Sequence, residues 1–282
     1  MLFNGYKKKL FLIPIIPAFF PTDAHAMHIG EGILPMSWAI AWTLLALPFL
    51  YAGVRKVRER EKKDFQFKPL LGLLCAAVFA VSCMPVPVPI AGTCSHPCGV
   101  AIAAIILGPV LSVFITSIAL FIQAVFLAHG GLTTWGGNIV SMGIVGSFTA
   151  WMAYAGLRRL GAGILGAAFV SGLLSDWTTY AATSLELALA LQGDRPVLDL
   201  FTAISLAFVP TQLPLGLLEG FVTMGMVSFL LKRKPEILAK KPRINTNIIF
   251  EKFILHGCSC KFVAKRLFFL LVSCIPNKNF LD

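Results

Sequence analysis

Met27 and His28 carry the donor groups of a metal chelate. If the chain is cut before Met27, three nitrogen atoms become available to one ion: the Met27 α-amine, the deprotonated His28 amide and His28 Nδ1. Together they close a five-membered and a six-membered ring around an ion and lie in one plane. Planar nitrogen sets suit Ni²⁺, Cu²⁺ or low-spin Co²⁺ better than Zn²⁺, Mg²⁺ or Ca²⁺. A Met-His pair also occurs by chance, so this interpretation needs both a free amine and a fourth ligand.

The residues before Met27 have the three parts of a secretory signal peptide. Three lysines at positions 7–9 precede an apolar run at 10–20, and Ala24-His25-Ala26 forms a small-x-small cleavage site. We therefore predict that residues 1–26 are a signal peptide cleaved after Ala26. The mature chain would then begin with the free amine of Met27, outside the cytoplasm.

Composition places these groups in a membrane protein. Of 282 residues, 57% are hydrophobic and only 13% are charged, which predicts an all-α, polytopic helical bundle in the lipid bilayer. The net charge of +11 comes from basic residues clustered between apolar segments. This clustering indicates membrane topology and not a nucleic-acid partner. The seven cysteines lack the spacing of a disulfide framework.

The first predicted span, residues 37–54, sets the orientation of the bundle. It is followed by segment 55–68, which holds seven basic residues against three acidic ones and is therefore expected in the cytoplasm. A cleaved signal peptide also leaves the start of this span outside. Two independent signals thus agree on its orientation.

A second span, 69–84, returns the chain to the outer side. The alternating prolines at 85–89 exclude regular helix, so residues 91–99 are predicted to form an outer loop. His96 lies in this loop, on the same side of the membrane as Met27. Its imidazole supplies the candidate fourth nitrogen.

The remaining apolar segments bring the predicted total to six or seven mature spans. A short helix at 101–107 should end at Gly108-Pro109, because seven residues are too short to cross a core of roughly 30 Å. The glycine-rich segment 129–138 is predicted to be non-helical. Further spans are predicted at 110–128, at 139–157, at 161–191 with an interruption at Ser175-Asp176-Trp177, and at 198–231 with an interruption at 210–214.

Three acidic residues, Asp176, Glu186 and Glu219, fall within apolar segments. Ionisable groups at such positions need a partner in the bundle interior. We expect Asp176 and Glu186 to connect helices, and a direct role in transport is the alternative. The domain prediction is a signal peptide at 1–26, a transmembrane metal-binding domain at 27–234 and a cytoplasmic tail of unknown role at 235–282, where Cys258-Ser259-Cys260 is a weak metal motif.

Six segments together resemble one transporter family: MHIGEGILP, GTCSHPCGV, ILGP, AHGGLTTWGGN, SMGIVG and TQLPLGLLEG. They are similar to CbiM, the cobalt substrate-binding component of energy-coupling factor (ECF) transporters. The resemblance implies a non-enzymatic component in the cell inner membrane that captures Co²⁺ for cobalamin (vitamin B12) biosynthesis. It also implies three partners: the transmembrane component CbiQ, the ATPase CbiO and the small component CbiN. The chain contains no GxxxxGK[ST] loop, so ATP hydrolysis would be done by a partner.

Carried onto this sequence, the family's metal site falls on Met27, His28 and His96. Four residues are candidates for supporting these ligands: Glu31, Ser95, His129 and Asn138. No cofactor is expected beyond the transported ion. Cys98 departs from the family pattern, in which a threonine is expected, and a role for Glu219 is left open.

Two other functions are open at this point. A nickel-specific component of the same transporter class would use the same planar nitrogen set, and affinity order alone favours Ni²⁺ over Co²⁺. A membrane enzyme could use His28, His96 and His129 as a catalytic metal centre. The sequence offers no HExxH motif and no pair of carboxylates beside these histidines.

Overall fold

The structure is a computed structural model that describes residues 25–26, 28–84, 86–87 and 93–235. Met27, the residues before 25 and the predicted tail after 235 lie outside the described residues. Eight α-helices form the described chain: α1 Met36–Glu61, α2 Phe67–Ser82, α3 Val100–Leu107, α4 Pro109–Leu127, α5 Trp135–Asn138, α6 Ser147–Arg159, α7 Ile164–Leu191 and α8 Val197–Arg233. A π-helical segment, Ile139–Gly146, joins α5 to α6.

Three short strands lie beside the helices. The middle strand β3, Thr93–Ser95, pairs in parallel with β1, His25–Ala26, and antiparallel with β2, Val86–Pro87. Strand β1 precedes His28 by two residues, and β3 is followed directly by His96. The helical fold class is confirmed. The sequence did not predict this small sheet. Strand β1 belongs to the predicted signal peptide, so cleavage after Ala26 would leave the pair of β2 and β3.

Four helical segments of the described chain are long and apolar enough to cross a membrane: Met36–Glu61, Pro109–Leu127, Trp135–Arg159 and Val197–Arg233. Helix α2, with 16 residues, is shorter. The protein is thus a multi-pass membrane protein, and the count of six or seven spans remains a prediction. The expected break is present, because α3 ends at Leu107 and α4 begins at Pro109. Proline suits that first helical position, where its missing N–H has no acceptor to lose.

Two predicted interruptions are wrong, since α7 and α8 each run as one continuous helix. In α7 the polar side chains find partners on neighbouring elements and leave the helical backbone bonds intact. Ser175 Oγ donates to the Gly146 carbonyl at 3.0 Å, and Trp177 Nε1 donates to the Gln212 carbonyl at 3.0 Å. Helix α8 also continues through Pro210.

The predicted basic loop 55–68 is mostly helix. Helix α1 continues to Glu61, and α2 begins at Phe67. Arginine, lysine and glutamate are good helix formers, and Arg55 pairs with Glu59 one turn later at 3.0 Å. The segment 129–138 likewise becomes helical at Trp135, four residues earlier than predicted.

Helix α3 lies at the centre of the packing. Its residues Val100 to Ala104 are buried, and it contacts α2, α4, α6 and α7. Helices α1 and α8 instead expose large apolar side chains, such as Leu44 and Phe221, as expected of surfaces that face lipid. The loop that carries His96 is therefore held against the most enclosed helix of the bundle.

Candidate metal centre

Three histidine side chains from separate loops form one cluster, in which His28 and His96 are buried and His129 is half-buried. His28 precedes α1, His96 precedes α3, and His129 follows α4. The ring centroids of His28 and His96 lie 4.4 Å apart, and the His129 ring lies 5.0 Å from each. One nitrogen of each ring lies within 4.8 Å of the others, a spacing that a metal ion could bridge after small movements. We call these residues the histidine cluster.

The end of α4 directs His129 into the cluster. Ala128 adopts a left-handed conformation with φ of 50°, which ends the helix after Leu127. The backbone N–H groups of Ala128 and His129 both donate to the Gln123 carbonyl, His129 at 3.2 Å. Such a turn satisfies carbonyls that the helix end would leave unpaired. The following chain therefore folds back over the helix terminus.

His28 is oriented by the side chain of Gln123 in helix α4. Its Nε2 lies 3.1 Å from Oε1 of Gln123, which is fully buried in α4. Ligating imidazoles generally give their second nitrogen to such a partner. This contact leaves Nδ1 of His28 as the nitrogen available to an ion. Sequence reasoning missed Gln123, although an amide side chain in an apolar span is a usable signal.

Helices α7 and α8 hold the loop that carries His96. The Tyr180 hydroxyl donates to the His96 carbonyl at 3.1 Å, and the Gly99 N–H donates to Glu219 Oε1 at 2.9 Å. Gly99 has φ of +70°, and a Cβ there would lie 2.9 Å from the Val81 side chain. Only glycine meets both requirements without strain. The open role of Glu219 thus has a structural answer, since its carboxylate anchors this loop.

The ring of His96 presents one free nitrogen to the cluster. Its Nδ1 lies 3.1 Å from the Pro97 carbonyl, which can only accept, so Nδ1 carries the proton. Nε2 of His96 and Nε2 of His129 are both buried without a hydrogen-bond partner among the described residues. Buried polar atoms are almost always satisfied. Two unpaired nitrogens beside a third imidazole are therefore the observation that points to a metal-binding role.

Burial keeps the three imidazoles neutral. Loss of hydration lowers the pKa of His28, His96 and His129, and the pKa of His96 falls to about 3. The charge that a neighbouring protonated ring would carry lowers the pKa of His28 further. At neutral pH each ring thus offers a lone pair, and a cation would not have to displace ring protons.

A strap formed by residues 28–31 is tied to the loop after α4. Asn138 accepts from the Ile29 N–H at 2.9 Å and donates to the Ile29 carbonyl at 3.3 Å. The Thr134 hydroxyl also donates to the Ile29 carbonyl, and Glu31 accepts from the Thr133 hydroxyl and N–H. These bonds fix the backbone on the C-terminal side of His28.

Comparisons with known proteins identify the family of the chain. The model of the CbiM family, described as a cobalt uptake substrate-specific transmembrane region, matches residues 28–237. The chain belongs to the CbiM family. Its histidine cluster and strap both fall within the matched residues.

Relatives and solved structures cover most of the chain. The cobalt transport protein CbiM of Geobacter sulfurreducens is 59% identical over 217 residues, which are 77% of this chain and 63% of that relative. The cobalt transport protein CbiM of Sorangium cellulosum is 55% identical over 212 residues, which are 75% of this chain and 94% of that relative. A crystal structure of a truncated transition metal transporter has 25% identity and a TM-score of 0.64, and covers 73% of this chain and 99% of its own.

Of the site residues predicted from sequence, the CbiM-family fold brings His28, His96 and His129 together. Met27 lies outside the described residues, and Ser95 is described only as part of strand β3. Glu31 and Asn138 bond the strap and the loop after α4. The contact expected of them, to the second nitrogen of an imidazole, is made for His28 by Gln123.

A small cavity adjoins the histidine cluster on the side of α7. It measures about 10 Å³, room for roughly one water molecule, and is lined by His28, His96, Cys98, Ser141, Met142, Thr179, Tyr180 and Thr183. The Cys98 thiol donates to Asp176 Oδ1 at 3.7 Å. Both carboxylate oxygens of Glu186 are buried without a partner among the described residues. Cys98, the departure from the family pattern, thus connects the loop of His96 to α7.

Proposed function

We propose that this chain is the substrate-specific component of an ECF importer and captures Co²⁺ outside the cytoplasm. One observation supports the proposal above others. A chain of the CbiM family holds three neutral imidazoles in a buried cluster in which two ring nitrogens lack a partner. A divalent cation bound by Nε2 of His96 would satisfy one of these nitrogens, and the His129 ring would lie beside the ion.

The proposed ligands are four nitrogen atoms in a plane. His28 supplies Nδ1 and its amide, Met27 supplies its amine, and His96 supplies Nε2. Support comes from the two ring contacts that leave these atoms free, His28 Nε2 with Gln123 and His96 Nδ1 with Pro97. His129, with its ring 5.0 Å from both partners, would act as a neighbour of the bound ion.

Cleavage after Ala26 is part of this proposal, because an internal Met27 has no amine. The bond to be cut lies between strand β1, which ends at Ala26, and the buried ring of His28. We propose that residues 1–26 are removed and that the new N-terminus faces outward in the inner membrane. The basic residues near the end of α1 support this orientation.

Transport would need partner subunits. The chain has no phosphate-binding GxxxxGK[ST] loop, so ATP hydrolysis is assigned to CbiO, coupled through CbiQ and assisted by CbiN. The imported cobalt would supply cobalamin biosynthesis. Nickel is the second candidate cargo, because the planar nitrogen set suits both ions.

A titration of the purified, processed protein with Co²⁺, Ni²⁺ and Zn²⁺ tests the proposed site. We expect Co²⁺ and Ni²⁺ to bind more tightly than Zn²⁺, and the Co²⁺ complex to show the absorption spectrum of a planar, low-spin ion. Tighter binding of Zn²⁺ with intense tetrahedral Co²⁺ bands would contradict the planar site. Tighter binding of Ni²⁺ than Co²⁺, together with nickel uptake in cells, would identify nickel as the cargo.

A further inference from the structure

The side-chain amide of Gln123 connects His28 to the end of α2. Gln123 is fully buried, and its Nε2 lies 2.7 Å from Ser82 Oγ and 3.2 Å from Cys83 Sγ. The amide NH₂ has two hydrogens, and each of these atoms can accept one of them. Its oxygen Oε1 then faces His28 Nε2 at 3.1 Å.

Ser82 determines which way this amide points. The single proton of its hydroxyl is used in a 2.7 Å bond to the Val78 carbonyl, one helical turn earlier. The Ser82 oxygen can therefore only accept from Gln123. If the amide were reversed, its oxygen would face a hydroxyl without a free proton, and two buried acceptors would meet.

The direction of the amide decides the protonation of the His28 ring. An amide oxygen cannot donate, so His28 Nε2 must carry the proton of the neutral imidazole, and Nδ1 keeps the lone pair. Only Nδ1 can close a six-membered ring with the amide nitrogen of the same residue. Nε2 lies on the far side of the ring and cannot join that chelate.

We infer that Gln123 is a positioning residue that holds His28 in the one tautomer able to form the chelate, and that Ser82 fixes the direction of the Gln123 amide. The metal part of this inference rests on the proposed function. The tautomer itself is a property of the metal-free protein. Without Gln123, both tautomers of His28 would be populated and the ring would be free to turn.

Nitrogen-15 NMR of metal-free, histidine-labelled protein at mildly alkaline pH tests the tautomer. The His28 signals are assigned by their loss in His28→Asn. We expect the parent to show only the Nε2–H tautomer of His28, and Gln123→Leu to show a mixture. Gln123→Glu keeps an oxygen that accepts from His28 Nε2. It should therefore show more of the Nε2–H form than Gln123→Leu, but less than the parent, because its second oxygen cannot donate to Ser82.

Two serine variants separate this effect from general loss of packing. Ser82→Ala removes one acceptor of the amide without touching His28, and should partly populate the Nδ1–H form. Ser117→Ala is the matched control, because its buried hydroxyl bonds a carbonyl of its own helix α4 and not the amide of Gln123. An Nδ1–H signal in the parent, or an unchanged Nε2–H signal in Gln123→Leu, would overturn the inference.

Co²⁺ titration of the same variants gives the functional result. Loss of a partner that orients a ligand typically costs 10-fold to 100-fold in metal affinity, and we expect about this loss in Gln123→Leu. Ser117→Ala should bind like the parent. If the parent binds Co²⁺ and Gln123→Leu binds it equally tightly, the role of Gln123 is overturned and the proposed function stays intact. A parent with the Nε2–H tautomer that does not bind Co²⁺ would refute the proposed function alone.

Discussion

At the scale of single residues, the site depends on which nitrogen of each ring is left without a partner. The Pro97 carbonyl occupies Nδ1 of His96, and the Gln123 amide occupies Nε2 of His28. These contacts leave one lone pair on each ring directed at the cluster. The sequence predicted which histidines take part. It could not predict which ring nitrogen of each would be left unbonded, because that depends on partners that only the fold brings near.

His96 is the proposed ligand whose removal should give the clearest result. Substitution by alanine removes one of four proposed nitrogens, so the loss of Co²⁺ affinity should exceed the 10-fold to 100-fold typical of supporting residues. The protein should still insert, because His96 lies in a loop and not in a membrane-spanning helix. Equilibrium titration and membrane fractionation measure the two effects. Parent-like binding by His96→Ala would require a site built around His129.

The buried imidazoles also predict how stability depends on pH. The unfolded chain binds protons on its histidines below a pKa near 6.5, whereas folded His96 binds one only below about 3. The free energy of unfolding is therefore highest above pH 6.5 and decreases as the pH falls towards 3, where the unfolded chain binds a proton that the folded chain does not. Each such group changes the free energy of unfolding by up to about 1.4 kcal/mol per pH unit.

Thermal unfolding of the metal-free protein in detergent should thus occur at lower temperature at mildly acidic than at neutral pH. His96→Gln, which removes one of these titrating groups, should show a smaller decrease. A midpoint that rises on acidification, or an equal decrease in parent and variant, would contradict this explanation.

At the scale of elements, the strap is the part of the site that loops must hold in place. Its backbone is bonded by Asn138 and Thr134, more than 100 residues later in the chain. The close approach requires glycine, because a Cβ on Gly131 would lie 2.8 Å from the backbone nitrogen of Glu31. The glycine-rich loop thus serves to bring one backbone against another.

Removal of one strap bond should weaken metal binding without unfolding the bundle. Thr134→Val keeps the shape of the side chain but loses the bond to the Ile29 carbonyl, so we expect a Co²⁺ affinity about 10-fold lower and faster ion release. Thr178→Val is the matched control, because its hydroxyl bonds the Leu174 carbonyl of its own helix. Equal affinities of the two variants would show that the strap does not support the site.

Helix boundaries were predictable where local chemistry decides them. The Gly108-Pro109 break depends on neighbouring residues, and it lies where it was expected. The continuity of α7 was not predictable, because the partners of Ser175 and Trp177 are 29 and 35 residues away. Gln123 was missed for the same reason, since its partner His28 is 95 residues earlier.

At the scale of the whole molecule, the bundle combines an enclosed centre with apolar outer faces. The exposed apolar side chains of α1 and α8 suit contact with lipid or with another membrane protein. Tyr180 of α7 and Glu219 of α8 both bond the loop of His96.

We predict that uptake of Co²⁺ depends on the partner subunits. Reconstituted alone in vesicles, the protein should bind Co²⁺ but not accumulate it in response to ATP, because no energy source is assigned to this chain. Addition of the transmembrane and ATPase partners should start ATP-dependent uptake. Brisk ATP-driven accumulation by this chain alone would contradict the assignment.

We propose that removal of residues 1–26 completes the metal site. An internal Met27 offers only a peptide amide, a far poorer donor than an α-amine with a pKa of about 7.7 to 8.0. Ala26→Trp should block cleavage at the small-x-small site and leave all three clustered histidines in place. Insertion of one residue between Met27 and His28 provides a second variant, which is cleaved but cannot form the fused rings.

N-terminal sequencing combined with Co²⁺ titration over a range of pH tests whether the Met27 amine is a ligand. The parent should begin at Met27 and bind tightly, with an affinity that rises through neutral pH because binding displaces protons from the amine and the His28 amide. Ala26→Trp should begin at Met1 and bind weakly, and the insertion variant should also bind weakly. Tight Co²⁺ binding by a chain that still begins at Met1 would show that the Met27 amine is not a ligand.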